Sequence, residues 1–141
     1  MSGFLLDTNC ISELVRNKPE PRVMDWMRAA EESLLYLSVL TLGEIRKGAA
    51  ILPQSKRRTY FESWLELDLQ VRFSGRILAI DDAVADRWGW LTAEAQRRGK
   101  PILAIDVLLA ATALHHNLTI VSHNSSDFAG TQVPILNPWE A

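Results

Sequence analysis

Acidic side chains stand where apolar runs end in this sequence. Asp7 closes Leu5-Leu6-Asp7-Thr8-Asn9, Glu44 follows the apolar run that ends near Leu40, and Asp106 follows Ile102-Leu103-Ala104-Ile105. Asn124 and Asp127 follow Leu118 to Ser122. Carboxylates drawn to one edge from distant segments make an oxygen-only donor set, and such sets select hard cations, Mg²⁺ or Mn²⁺. A divalent ion held there lowers the pKa of bound water and acts as a Lewis acid, which suits phosphodiester hydrolysis. Each acid also has a bland reading. Thr41-x-x-Glu44 fits a capping box, Asp106 fits an N-cap, and Asp7 fits a cap for the helix after it. Taken together the bland readings fare worse. An acid between two apolar stretches, as Asp106 is, costs free energy unless it is paired or metal-bound.

The elements that must position these acids alternate. Phe4 to Leu6 reads as a buried strand, followed by helical patterning in Ile11 to Val15. Pro19 and Pro21 open a helix with Val23, Trp26 and Met27 on one face. Leu34 to Leu40 reads as a second strand, and a helix runs from Thr41 through Leu52 to Pro53. A longer helix covers Lys56 to Val71, with Phe61, Trp64, Leu65 and Leu69 at core spacing. Arg76 to Ile80 is a third strand. Asp81 or Asp82 caps the next helix, which turns Val84, Trp88, Leu91 and Ala95 inward and stops at Gly99. Asp106 opens an apolar helix through His116, and Leu118 to Ser122 and Val133 to Leu136 complete a sheet of about five strands. This alternation predicts an α/β fold, a mostly parallel sheet with helices on both faces, whose ligands bind beyond the carboxyl ends of the strands.

A chain of 141 residues fits one domain, residues 1–141, and buries enough surface to need no disulfide framework. The single cysteine, Cys10, cannot form an internal bridge, which suits a reducing cytoplasm. No apolar run is long enough to span a bilayer, and no signal peptide is visible. The formal charge of −2 argues mildly against indiscriminate nucleic-acid binding. Arg46-Lys47, Lys56-Arg57-Arg58 and Arg97-Arg98-Gly99-Lys100 are local basic clusters that are equally well read as solvated helix faces. Trp26, Trp64 and Trp88 fall on apolar faces, whereas Trp90 is expected to be exposed.

Four segments in order carry a resemblance: Leu5-Leu6-Asp7-Thr8-Asn9, Leu37-Ser38-Val39-Leu40-Thr41-Leu42-Gly43-Glu44-Ile45-Arg46-Lys47-Gly48, Ile105-Asp106-Val107-Leu108-Leu109-Ala110-Ala111-Thr112-Ala113, and Asn137-Pro138-Trp139. With them the chain resembles PIN-domain proteins, most closely the VapC/FitB-like ribonuclease toxins of prokaryotic toxin–antitoxin pairs. The resemblance implies a three-layer α/β/α sandwich. It implies a Mg²⁺- or Mn²⁺-dependent endoribonuclease whose catalytic and metal-binding residues are Asp7, Glu44 and Asp106. It implies a fourth acidic position after the fourth strand, where Asn124 stands in place of the usual acid and Asp127 comes three residues later in an Asp-Phe pair. Thr8 and Asn9 match polar residues that orient Asp7 or satisfy the turn. An RNA substrate, a cognate VapB/FitA-like antitoxin and a homodimer are implied as partners. Arg46 and Lys47, just beyond Glu44, are candidates for phosphate contacts. The Asn124 departure leaves open a catalytically weak or inactive module that binds RNA or protein, and an Asp at a strand end also suits a phosphoacceptor, although no strand-end Lys accompanies it.

Overall fold

The apolar runs fold as a parallel sheet. In the computed structural model, which describes residues 3–140, the strands are β1 (Phe4–Leu6), β2 (Leu35–Ser38), β3 (Ile77–Leu78), β4 (Thr119–Val121) and β5 (Ile135–Leu136). They lie in the order β3-β2-β1-β4-β5, and every pairing is parallel. The expected sheet is present, with ladders shorter than the apolar runs that contain them. Neighbouring residues face opposite ways, as strand geometry requires. Leu5 and Ile120 enter one core cluster, while Leu6 and Val121 enter the other. Both faces are buried because the crossovers lay helices over both.

Those helices are α1 (Thr8–Ser12), α2 (Pro21–Ala29), α3 (Val39–Ala50), α4 (Lys56–Ser63), α5 (Leu69–Arg72), α6 (Asp82–Arg97) and α7 (Ala104–His115). The expected helix over Lys56 to Val71 is α4 and α5 joined through a π-helical stretch, Trp64–Asp68. An ordinary helix turns neighbouring residues about 100° apart. Within the π-helical stretch, consecutive Trp64 and Leu65 are both buried. Asp81 rather than Asp82 caps α6, accepting from the Val84 amide at 2.9 Å. On α6, Val84 and Ala95 are buried, Trp88 and Leu91 half-buried, and Trp90 exposed. No helix among the described residues is long and apolar enough to cross a membrane.

Two helix starts differ from expectation, and both bear on the acids. Helix α3 begins at Val39 because Ser38 Oγ accepts from the Leu40 amide at 3.0 Å. Thr41 is therefore buried inside the first turn, and the Thr41–Glu44 capping box does not form. Helix α7 begins at Ala104, with Leu103 at the cap position contributing no side-chain hydrogen bond. Asp106 is thus not a cap. Strands β2 and β3 step outward on one side of β1, and the chain then returns to place β4 on the other side. The carboxyl edge between β1 and β4 is a topological switch point, where open α/β sheets bind ligands.

Candidate active site

Asp7 sits at that switch point because its own amide donates to Val121 O at 2.9 Å, tying the end of β1 to the end of β4. Its carboxylate has two duties. Oδ1 accepts from the Thr8 amide at 2.7 Å and caps α1, so the expected capping role is real. Oδ2 accepts from the Ser122 hydroxyl at 2.8 Å, with Asn9 Nδ2 at 3.4 Å. Burial pushes the Asp7 carboxyl above its usual range. The Ser122 and Thr8 hydrogen bonds pull it back, while Glu44 and Asp127 push it up further.

Glu44 projects from α3 toward α1. Its Oε1 accepts from the Thr8 hydroxyl at 2.6 Å, and Thr8 Oγ1 also meets Thr41 Oγ1 at 3.3 Å. The Thr8 hydroxyl, which buried Thr41 also meets, therefore holds the carboxylate that the capping box was expected to hold. Asp106, half-buried in the first turn of α7, is pushed up to about 6, first by desolvation and then by Asp127, Asp7 and Glu44. Among the acids whose field raises it, Asp127 contributes more than either Asp7 or Glu44 does. Of the two fourth-position residues, Asp127 is the one brought into this field. It lies on a 3₁₀ turn, Ser125–Phe128, anchored by buried Phe128. Asn124 precedes that turn, and its amide donates to Ser122 Oγ at 3.1 Å.

Asn9 works from the other side, its Oδ1 accepting from the His123 amide at 3.3 Å and so tying α1 to the loop after β4. The residue that sequence reasoning passed over is Ser122, which is fully buried and bonded to Asp7. Its signal was available only with the strand order known, since β4 must lie beside β1 for a residue ending β4 to reach Asp7. Ser122→Ala removes a hydrogen bond to a charged group and is expected to cost about 1.5–3 kcal/mol. It should lower the melting temperature and carry the acid limb of any activity profile to higher pH, as Asp7 loses the bond that does most to hold its pKa down. An unmoved acid limb would remove Ser122 from the site.

Other expectations resolve differently. Arg46 commits its guanidinium to Glu66 at 2.6 Å and Glu62 at 3.6 Å, which draws it toward α4 and the π-helical stretch. Lys47 is exposed, and neither residue borders the cavity that opens beside Glu44. Cys10 is fully buried and its thiol is pushed up to about 12 by burial, so it is no nucleophile.

Among the described residues, none of Asp7, Glu44, Asp106 and Asp127 forms an ion pair with Lys, Arg or His. Nor do three His, Cys, Asp or Glu side chains among them stand close enough to enclose an ion unaided. The donors are all oxygen and their negative charge is uncompensated. That suits Mg²⁺, which is commonly held by one or two carboxylates with water and phosphate oxygens completing its shell, rather than a metal needing an all-protein cage.

A doubly wound parallel sheet, with acidic side chains at its switch point that form no ion pairs among the described residues, defines an α/β protein with an all-oxygen polar site at the carboxyl edge. The comparisons place it further. The PIN domain pattern matches residues 4–133, so the chain belongs to the PIN-domain family, in its FitB/VapC group. It is 38% identical to "Toxin FitB" of Neisseria gonorrhoeae, covering 96% of this chain and 98% of that one. It is also 38% identical to "VapC ribonuclease Y4jK" of Sinorhizobium fredii, covering 97% and 98%. The crystal structure of FitAcB from Neisseria gonorrhoeae superposes with a TM-score of 0.92 at 37% identity, covering 98% of this chain and 99% of that one.

Proposed function

We propose that this chain is a Mg²⁺- or Mn²⁺-dependent endoribonuclease, the toxin of a toxin–antitoxin pair, acting in the cytoplasm. The observation that carries the reading is the placement of Asp7 at the β1/β4 switch point, fixed by Ser122 and the Thr8 amide, beside Glu44 held by the Thr8 hydroxyl, with no ion pair to Lys, Arg or His among the described residues. Asp7 and Asp106 are the residues to hold the ion, with Glu44 and Asp127 supporting it. When bound, the cation supplies Lewis acidity at the phosphoryl group and acidifies its water. The chain's own residues do the positioning. Ser122 and the Thr8 amide fix the rotamer of Asp7, and Asn9 braces α1 against the loop after β4. The Thr8 hydroxyl occupies Glu44 Oε1 and leaves Oε2 to orient or deprotonate the attacking water. Relatives named as a VapC ribonuclease and as a tRNA(fMet)-specific endonuclease support RNA as the substrate. A relative named as a toxin and a solved complex named FitAB bound to a DNA fragment support a small FitA/VapB-like antitoxin partner, and a homodimer follows the same family pattern.

The test compares the unaltered chain with Asp7→Ala on labelled single-stranded RNA, with Mg²⁺, Mn²⁺ or EDTA. Cleavage is expected only for the unaltered chain with metal. Binding to the folded state alone stabilises by about 2.7 kcal/mol at a hundredfold excess over Kd, so saturating Mn²⁺ should raise the melting temperature by several degrees. A melting temperature that Mn²⁺ leaves unmoved, with RNA intact, sinks the reading in favour of a non-cleaving binding module.

A further inference from the structure

Beside Glu44 a groove opens between the segment after α1 and the helices α3 and α4, with a cavity of about 810 Å³. One end is formed by Thr8 and Glu44, the pair already placed in the site, so the groove is continuous with the acids. Its wall carries Arg16, Lys18 and Arg57. Lys18 and Arg57 are exposed and make no ion pair among the described residues, unlike Arg46 on the neighbouring face. Arg57 lies over the Phe61 ring at 5.4 Å, which holds its guanidinium along the groove wall. Tyr60 also lines the groove, and its ring is 56% exposed and braced edge-on against Phe61 at 5.7 Å.

Unpaired cations with a braced, exposed aromatic ring are the parts from which single-strand nucleic-acid channels are made: charge tracks the backbone and the ring stacks a base. A chain with a formal charge of −2 has no general attraction for RNA, so a local cationic path to the acids has to supply it. We infer that this groove seats the single-stranded RNA segment flanking the cleaved phosphate, with Lys18 and Arg57 on its backbone and Tyr60 stacked on a base. The inference rests on the ribonuclease reading and locates its substrate. Arg16 is left to a structural role, since Glu13 binds it at 2.7 Å.

The experiment measures binding of a fluorescein-labelled single-stranded RNA 12-mer of mixed sequence by fluorescence anisotropy, in the non-cleaving Asp106→Asn background. Lys18→Ala/Arg57→Ala should weaken binding about tenfold or more at low salt and flatten the salt dependence by about 1.4 log units per log unit, the share of two phosphate contacts on a single strand. Tyr60→Ala should weaken binding at least about fivefold, and Tyr60→Phe should stay within about twofold of the parent, because stacking needs the ring and not the hydroxyl. Arg97→Ala/Lys100→Ala, away from the groove, should change neither affinity nor slope. Groove variants that bind as the parent does, or a control that loses as much, overturn the assignment. Unchanged RNA affinity with loss of a co-expressed small protein partner also overturns it and gives the groove to that protein. Cleavage by the unaltered chain is scored separately, so a chain that cuts RNA while its groove variants bind normally loses this inference and keeps its activity.

Discussion

Asp106→Asn is expected to lower RNA cleavage by about a hundredfold or more while making the metal-free protein harder to melt at neutral pH. The first effect removes a charge proposed to hold the metal, and a hundredfold loss corresponds to about 2.7 kcal/mol of transition-state stabilisation. The second follows from linkage. The Asp106 carboxyl is raised from its ordinary 3.8 to about 6 by desolvation and by Asp127, Asp7 and Glu44. The stability associated with this group is complete below about 3.8, where folded and unfolded chains are both protonated, and is lost as pH rises through about 6. Asparagine carries no charge at any of these pH values and escapes the loss. In EDTA, the melting temperature of the variant should exceed that of the parent at pH 7.5, and the gap should close toward pH 4. Saturating Mn²⁺ should reverse the order at pH 7.5, because only the parent gains the ion. At limiting metal, activity of the parent should fall as pH drops through about 6, where protons compete for Asp106. A variant that melts below its parent at pH 7.5 in EDTA would show that the carboxylates do not strain one another.

Phe128→Ala is expected to be the most damaging single truncation near the site. Phe128 is 2% exposed and packs with Leu109, Ala110 and Ala113 of α7 and Ile120 of β4. Truncating a buried Phe costs about 3–5 kcal/mol. For a domain of this size, that lowers the melting temperature by roughly 10 °C or more. Phe128 also anchors the turn that carries Asp127 against the helix that carries Asp106, so the fraction that remains folded should cleave RNA more slowly. Phe128→Leu keeps most of the apolar volume and should cost appreciably less. A chemical denaturation midpoint equal for Phe128→Ala and the parent would refute the anchoring role.

The fold was legible because its signals are local. Phe4 to Leu6, Leu34 to Leu40 and Leu118 to Ser122 read as apolar runs and each contains a strand, although β2 stops at Ser38 and Val39 and Leu40 open α3. The order of the helices followed from periodicity in the same way. Asp7, Glu44 and Asp106 were legible as acids near element boundaries, and it was the family resemblance that grouped them into one site. What stayed hidden depends on tertiary neighbours. Ser38 displaced Thr41 as the cap of α3, three residues earlier, because the Ser38 hydroxyl reaches the Leu40 amide. Ser122 owes its importance to β4 lying beside β1, which no local pattern encodes. Arg46 reads as a free cation in sequence, and only the approach of Glu62 and Glu66 from another helix makes it a partner in ion pairs. The π-helical stretch was hidden too, since Trp64 and Leu65 fit the core face of an ordinary helix equally well.

The sheet ends on either side in strands of two residues, Ile77–Leu78 and Ile135–Leu136. So short a margin offers too little unpaired backbone for a foreign strand to zip onto, which blunts the ordinary route to fibrils and edge-to-edge aggregation. Recognition of this molecule, by copies of itself or by other proteins, then has to run through side chains on its helices and loops. There each contact depends on sequence, so a partner is selected by side-chain identity rather than by generic backbone pairing.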